Sequence, residues 1–473
     1  MTTLKEVEEE LRDLQSRKCR LLNEVEQIER QIELAGIRRA RLSNDAAPIS
    51  RLPHELLSSI LLMARGEQKS RLKSLQVSAS HVCGRWRTVA IGTPLLWADI
   101  RVLVTFKHAT ILDAKLDRLD TYLKRSNNRK LDLRMEVNGH IQLEPFLSSL
   151  SRHIHRCRRL VFAISNYPSP AHALLSHLSQ AEAPVLEHLS IHFPCSRLYA
   201  YPKTQFDAIL PNILQEGAPL LQFLRVTGTA GHLQPPLSRV TTLHLDGSEM
   251  NDLSFRQFRD LLQNTTCLEN LSLNQVWVNI VPGDILSISV PHLRSLRVRG
   301  PPNFDLQSLL ATLPLSQLEN CVLSQVEIFR PVECPNVKTL ALENCQFVGR
   351  EVGDLIETFP AIESLTLSAG DPSAIFFALG FPGTPTWWPR LKRLFVFDLP
   401  VRGVPDFMTR IRDRQGMDVP LETLYLDRKS RGVLRLKEQL DEVKNLTVVE
   451  NHEDTAPWPA GLGYEDDDDG FWS

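Results

Sequence analysis

Between residues 185 and 428 the chain repeats one short arrangement of apolar and polar positions, apolar-x-x-Leu-x-apolar. It reads VLEHLSIHF (185–193), LLQFLRVTG (220–228), VTTLHLDG (240–247), LENLSLNQV (268–276) and LRSLRVRG (293–300). It continues as LENCVLSQV (318–326), VKTLALENC (337–345), IESLTLSAG (362–370), LKRLFVFD (391–398) and LETLYLDR (421–428). Weaker copies sit at Arg159–Ala163 and Lys444–Val448. Within each copy polar residues alternate with the apolar ones, as His188/Ser190, Thr242/His244, Asn270/Ser272 and Ser364/Thr366 do. Alternation of period two predicts a strand with one buried face. Between the strands lie helical patterns such as FRQFRDLLQN (255–264), LQSLLATL (306–313), VGDLIETF (352–359) and FMTRIRDR (407–414).

Successive copies start about 19 to 35 residues apart, most often near 25. One strand and one helix at that period is the pattern of leucine-rich repeats, whose units stack because none can bury its apolar face alone. The expectation is therefore an α/β chain with a solenoid over 130–450, parallel strands on its concave face and helices outside. A doubly wound α/β sheet also alternates strands and helices. Its strands would be near-continuous apolar runs buried on both faces, which these are not.

Ahead of the repeats, residues 1–46 predict one long helix. Leu4, Val7, Leu11, Leu14, Leu21, Val25, Ile28, Ile32, Ala35 and Leu42 fall on alternating three-and-four spacings, interrupted by Lys18 and Arg39. Such a seam over about five heptads predicts a coiled coil. Pairing of two chains and packing against the chain's own neighbouring domain both remain open. From residue 451 the chain ends in an acidic tail expected not to fold, with the run Glu465–Asp469 and the aromatics Trp458, Tyr464, Phe471 and Trp472.

Residues 49–100 form a different kind of segment. Leu52-Pro53 opens a helix, since proline suits a first turn in which its missing N–H has no partner. Glu55 follows where the helix dipole favours a carboxylate, and Leu56, Leu57, Ile60 and Leu61 make an apolar stripe. After the polar stretch Gly66–Ser70, a second helical run ends in Val82-Cys83-Gly84-Arg85-Trp86-Arg87, followed by Ala90, Pro94 and Leu96-Trp97. About fifty residues are marginal for burying a core alone, so a segment of this size usually docks on something. The order LP-x-E-L-L-x-x-I, V-C-x-x-W-R, A, P-x-L-W resembles the F-box, in the form common in mushroom-forming fungi. Its Leu-Pro to Val-Cys spacing is longer than the general pattern by roughly two helical turns.

The resemblance implies an F-box protein with leucine-rich repeats. That would be the substrate-recognition subunit of a cullin-type ubiquitin ligase, with chemistry left to other subunits. It implies that Leu52, Pro53, Leu56, Ile60, Val82 and Trp86 form the surface facing a Skp-type adaptor, or its supporting core. Through the adaptor the chain would reach a cullin. Residues 101–129 are then a connecting segment.

Composition excludes several other classes. The net charge of −2 and pI near 6.7 give no electrostatic case for nucleic acid or an anionic membrane. The eight cysteines are scattered without metal-ligand pairs, and the start TTLKEVEEE is too charged for a signal peptide. A cytoplasmic or nuclear protein with reduced thiols is expected. No phosphate-binding glycine loop, nucleophile elbow or H-E-x-x-H pattern occurs. His153-x-His155-x-Cys157 sits among Arg152, Arg156, Arg158 and Arg159, whose charge disfavours a cation. No catalytic residue, metal or cofactor is expected, and Cys321 and Cys345 read as packing residues.

On a repeat strand the residues between the leucines face the concave surface. Early strands would display His188, His192, Phe223 and Arg225. Middle ones would display His244, Asp246, Asn270, Asn274, Arg297 and Arg299; the last, Arg393, Phe395, Phe397, Tyr425 and Asp427. Arginine with aromatics is the composition of binding hot spots. Arg297, Arg299, Arg393, Phe395, Phe397 and Tyr425 are therefore the expected site for a client protein. A repeat scaffold or inhibitor unconnected with ubiquitin ligation is the main alternative, and a hydrolase with an unseen site the remote one.

Overall fold

The computed structural model describes all residues except 1–2, 67–74, 106–108, 140, 166–167, 194–211, 229–232, 248–252, 281–287, 301–305, 327–330, 346, 348–349, 369–372, 380–386 and 452–473. The chain falls into two compact units. One holds Met1–Asp99 and Thr121–Arg129; the other holds Ile100–Asp120 and the described residues from Lys130 onward. The tail aromatics and the polar insertion after Gly66 lie outside the described residues.

In the larger unit fourteen described strands form one parallel sheet. Each neighbours the strand before and after it in chain order, with only the separate two-stranded pair Leu253–Ser254 and Val278–Asn279 set apart. A doubly wound sheet reverses its order at a switch point; this one never does, which suits a solenoid-like arrangement.

The register explains why the apolar phrase repeats. Leu189, Leu224, Leu243, Leu271, Leu296, Cys321, Leu340, Leu365, Leu394 and Leu424 stand in one cross-strand row. All are at most 2% exposed. A second row two residues on, from Ile191 to Leu426, is at most 3% exposed. The first apolar residue of each phrase, from Leu186 to Leu421, is also buried, and seven of them close a tight turn, such as Leu268 N–H to the Thr265 carbonyl at 3.2 Å. Cys321 takes a leucine place, and burial holds its thiol well above the ordinary range, so it packs as a small apolar group. The expected helices are present at Phe255–Asn264, Leu306–Thr312, Arg350–Thr358 and Val404–Gln415.

Backbone bonding repeats as strictly. The Glu269 carbonyl accepts from the N–H groups of Arg294 and Ser295, and the Arg294 carbonyl from those of Glu319 and Asn320. The Glu319 carbonyl does the same for Lys338 and Thr339. One residue past the strand, Gln275, Gln325, Asn344 and Asp398 adopt positive φ between 47° and 54°. The equivalent Gly247 has no room for a side chain: a Cβ there would stand 1.9 Å from the Gln275 carbonyl oxygen.

The sheet begins earlier than the sequence suggested. The segment 101–129, expected as a connector, holds most of the strand Asp99–Thr105 and a helix, Ala109–Arg125. That strand pairs with Leu131–Asn138. It buries Ile100 and Val104 but carries no Leu-x-apolar phrase, which is why the repeat pattern missed it.

Near its C-terminal end the larger unit is held by a buried cation. Arg414, on the helix Val404–Gln415, is fully buried. Its guanidinium donates to the carbonyls of Trp387 and Trp388 at 2.9 Å and of Leu379 and Leu391 at 3.4 Å. Arg414→Met roughly keeps the volume and removes the guanidinium donor from all four carbonyls, of which that of Trp388 keeps the Leu391 N–H. We expect a loss of about 3 kcal/mol, read as a lower urea midpoint, whereas Arg402→Met on the exposed turn before that helix should leave the midpoint within about 0.5 kcal/mol.

Candidate interaction surfaces

The smaller unit carries the first surface. Its long helix α1 (Leu4–Ala46) precedes α2 (His54–Gly66), α3 (Leu75–Ser80) and α4 (Gly84–Ile91), and the last three pack on one another. Leu57 and Leu61, one turn apart on α2, are at most 2% exposed and join Ala90, Leu96 and Trp97 in the core. Trp97 is fully buried: its indole N–H donates to the Ala90 carbonyl at 2.7 Å, and Tyr122 meets its ring edge-on at 5.0 Å. The Arg125 guanidinium covers the ring at 4.5 Å. Arg85 of α4 donates to the carbonyls of Ser50 and Leu52, fixing the start of α2.

A second stripe of α2, about 100° round the helix, stays apolar and open. Leu56 is 52% exposed, Ile60 39% and Met63 65%, at spacings that put all three on one stripe. Pro53 at the head of the helix is exposed, as is Val82 on the turn between α3 and α4, whereas Leu52 and Trp86 are half-buried. The six residues expected to face an adaptor thus divide into four exposed positions and two partly enclosed ones. Met63 was not among them, although its place one turn beyond Ile60 continues the stripe. Small folded units seldom leave such a stripe uncovered unless something binds there.

The second surface is the polar face of the sheet. Register lines up the residues between the leucines in rows, of which the central one runs Ser190, Arg225, His244, Ser272, Arg297, Val322, Ala341, Thr366, Phe395 and Tyr425. The expectation that all of these positions are displayed is corrected. His188, Phe223, His244, Asp246 and Arg297 are buried, Arg297 being only 1% exposed, so Arg297 is withdrawn from the client surface. Its neighbour Ser272 is short, and the Arg297 Nε donates to the Ser272 hydroxyl at 2.9 Å, laying the side chain along the sheet. Arg225 donates to Asp246 at 2.6 Å, and the Thr227 hydroxyl to the same carboxylate oxygen at 3.0 Å. His188 stacks on Phe223 at 4.1 Å, and Phe223 meets His244 at 4.8 Å. Asp427 is also corrected: its carboxylate caps a helix, accepting from the Ser430 N–H at 2.9 Å.

Toward the C-terminal strands the face opens. Arg393 is exposed, and Phe395, Phe397 and Tyr425 are half-buried, with the Phe395 and Tyr425 rings stacked at 4.1 Å. Arg299 is half-buried as well. Five of the six expected client residues thus remain accessible to different degrees.

His153, His155 and Cys157 do not converge. His155 is exposed, while the Cys157 thiol is buried, pushed up to about 12 by that burial, and donates to the His153 carbonyl. Among the described residues no group of His, Cys, Asp and Glu is arranged to hold a metal. No helix among them is long and apolar enough to cross a membrane. No model of a known protein family and no curated protein matches the chain.

Burial holds the His188 and His244 imidazoles well below their ordinary pKa, and nearby arginines (Arg159 and Arg225 for His188, Arg297 and Arg225 for His244) add to the effect. The folded chain keeps both neutral, while the unfolded chain protonates them near 6.5. Stability is therefore intact above that pH and falls as pH drops below it, by about 1.4 kcal/mol per pH unit for each histidine. Urea unfolding at pH 7.5 and 5.5 should show this loss, and His188→Asn/His244→Asn should flatten it.

Proposed function

We propose that the chain is a non-catalytic substrate receptor of a cullin-type ubiquitin ligase. Its F-box-like segment would hold a Skp-type adaptor, and its repeat sheet, read as leucine-rich repeats, would hold a client protein. The observation that carries this reading is the division of α2 into two apolar stripes. Leu57 and Leu61 serve the unit's own core, while Leu56, Ile60 and Met63 have no place in it. An ordinary helical hairpin needs only the first stripe.

Two further points support it. The order of motif residues from Leu52 to Trp97 is that of the F-box, and the sheet offers a graded polar face for recognition. Arg299, Arg393, Phe395, Phe397 and Tyr425 are the residues proposed for the client, since aromatic and guanidinium groups give large contact area and bidentate pairing. Mechanistically the receptor acts by proximity: holding a client lysine near a charged ubiquitin raises its effective concentration. The rival reading is a repeat scaffold whose helical segment serves only its own packing.

Binding of the purified chain to a Skp-type adaptor separates the two. We expect a Kd at or below about 1 µM, and a Leu56→Glu/Ile60→Glu variant weaker by at least about 100-fold with unchanged thermal unfolding, because both side chains are exposed. A folded wild type that does not bind would leave the scaffold reading.

A further inference from the structure

Helix α1 is 43 residues long, about 64 Å at 1.5 Å per residue. None of its residues is buried. Leu11, Leu14, Leu21, Val25, Ile28 and Ile32 are between 50% and 66% exposed, all on the heptad seam. An apolar seam of that length is costly to leave in water, and its charges indicate what covers it.

We propose that α1 pairs with α1 of a second copy of this chain as an antiparallel coiled coil, in the register that sets Leu4 against the partner's Leu42. With Leu4 at the first core position of a heptad, Lys18 and Arg39 fall on the same core position in later heptads. A parallel dimer stacks identical positions, so Lys18 would meet the partner's Lys18 and Arg39 the partner's Arg39 inside the seam. Its flanking contacts would add no attraction: Glu10 faces Gln15, Arg17 faces Leu22, Gln31 faces Gly36 and Arg38 faces Ser43 across the interface, while Glu24 faces Glu29 and repels it.

The antiparallel register removes these conflicts. Leu14 packs on the partner's Ile32 and Leu21 on the partner's Val25. Lys18 lies against the partner's Ile28 beside Glu29, and Arg39 against the partner's Val7 between Glu6 and Glu8. In each case the stem packs and the charged head reaches an acid at the rim. Glu10 now faces the partner's Arg38, twice by symmetry, while one like-charge pair, Glu24 with its own copy, remains at the centre. The helix itself is polarised in the same sense: Glu6, Glu8, Glu9, Glu10 and Asp13 crowd its first third, and Arg38, Arg39 and Arg41 its last turns. Leu22, 56% exposed on the flank, meets the partner's Leu22 at the two-fold centre and widens the apolar contact.

Sedimentation of the full chain at about 10 µM tests self-association. The expected mass is twice 53.7 kDa, falling to the monomer in Leu14→Asp/Ile28→Asp with the remainder of the fold unchanged by circular dichroism. Orientation is read by oxidation in a background with Cys19, Cys83, Cys195 and Cys267 replaced by serine. A mixture of Leu4→Cys and Leu42→Cys chains should give a mixed disulfide, and Leu4→Cys alone none. A monomeric wild type, a dimer that survives Leu14→Asp/Ile28→Asp, or efficient self-linking of Leu4→Cys would each overturn the proposal.

Discussion

The parallel register of the sheet is the constraint on which the larger unit depends. Each phrase contributes one residue to the row that contains Leu271 and Leu296, and one to the row that contains Leu273 and Val298. A slip of a single residue would turn both rows outward and bury the polar set, so register is fixed by the most favourable term available. Burying each such side chain stabilises by about 2 kcal/mol, and every residue in a row touches the strands on both sides. The tight turns before many strands, and the left-handed residues that follow four of them (Gln275, Gln325, Asn344 and Asp398), start and stop those strands at the same level, so neighbouring strands remain aligned.

That register also shapes the polar face. Because the intervening residues are stacked row by row, a long side chain beside short ones can lie along the sheet. Arg297 does so over Ser272, and Arg225 reaches Asp246 one strand away. Where neighbours are themselves bulky, as Phe395 and Tyr425 are, the rings stack on each other and stay partly exposed. The polar face is therefore graded along the sheet, with a consolidated region near His188, His244 and Arg297 and an open one around Arg393.

The smaller unit works on a different balance. With so few residues, its core is concentrated in Leu57, Leu61, Leu96 and Trp97, and the Trp97 indole N–H is satisfied by a backbone carbonyl. This leaves Leu56, Ile60 and Met63 on the outside of the same helix, and the whole seam of α1 uncovered. Apolar surface left over by a unit that already has a core is surface suited to association.

Local periodicity determined most of this in advance. The long helix, the start of α2 at Leu52-Pro53, ten repeat strands and the helices between them follow from spacings of two and of three-to-four residues, which each short stretch of chain carries by itself. The strand Asp99–Thr105 escaped because a first strand at a sheet edge needs no Leu-x-apolar phrase. Which polar residues stay exposed was settled only by packing. Arg297 and Phe395 occupy the same place in their phrases, yet one is buried and the other partly open, because exposure depends on the side chains of adjacent strands some 25 or more residues away. Asp427 likewise reads as a displayed residue until the helix it caps is in view. Sequence thus fixes which residues share a face, and tertiary structure alone fixes which of them a partner can reach.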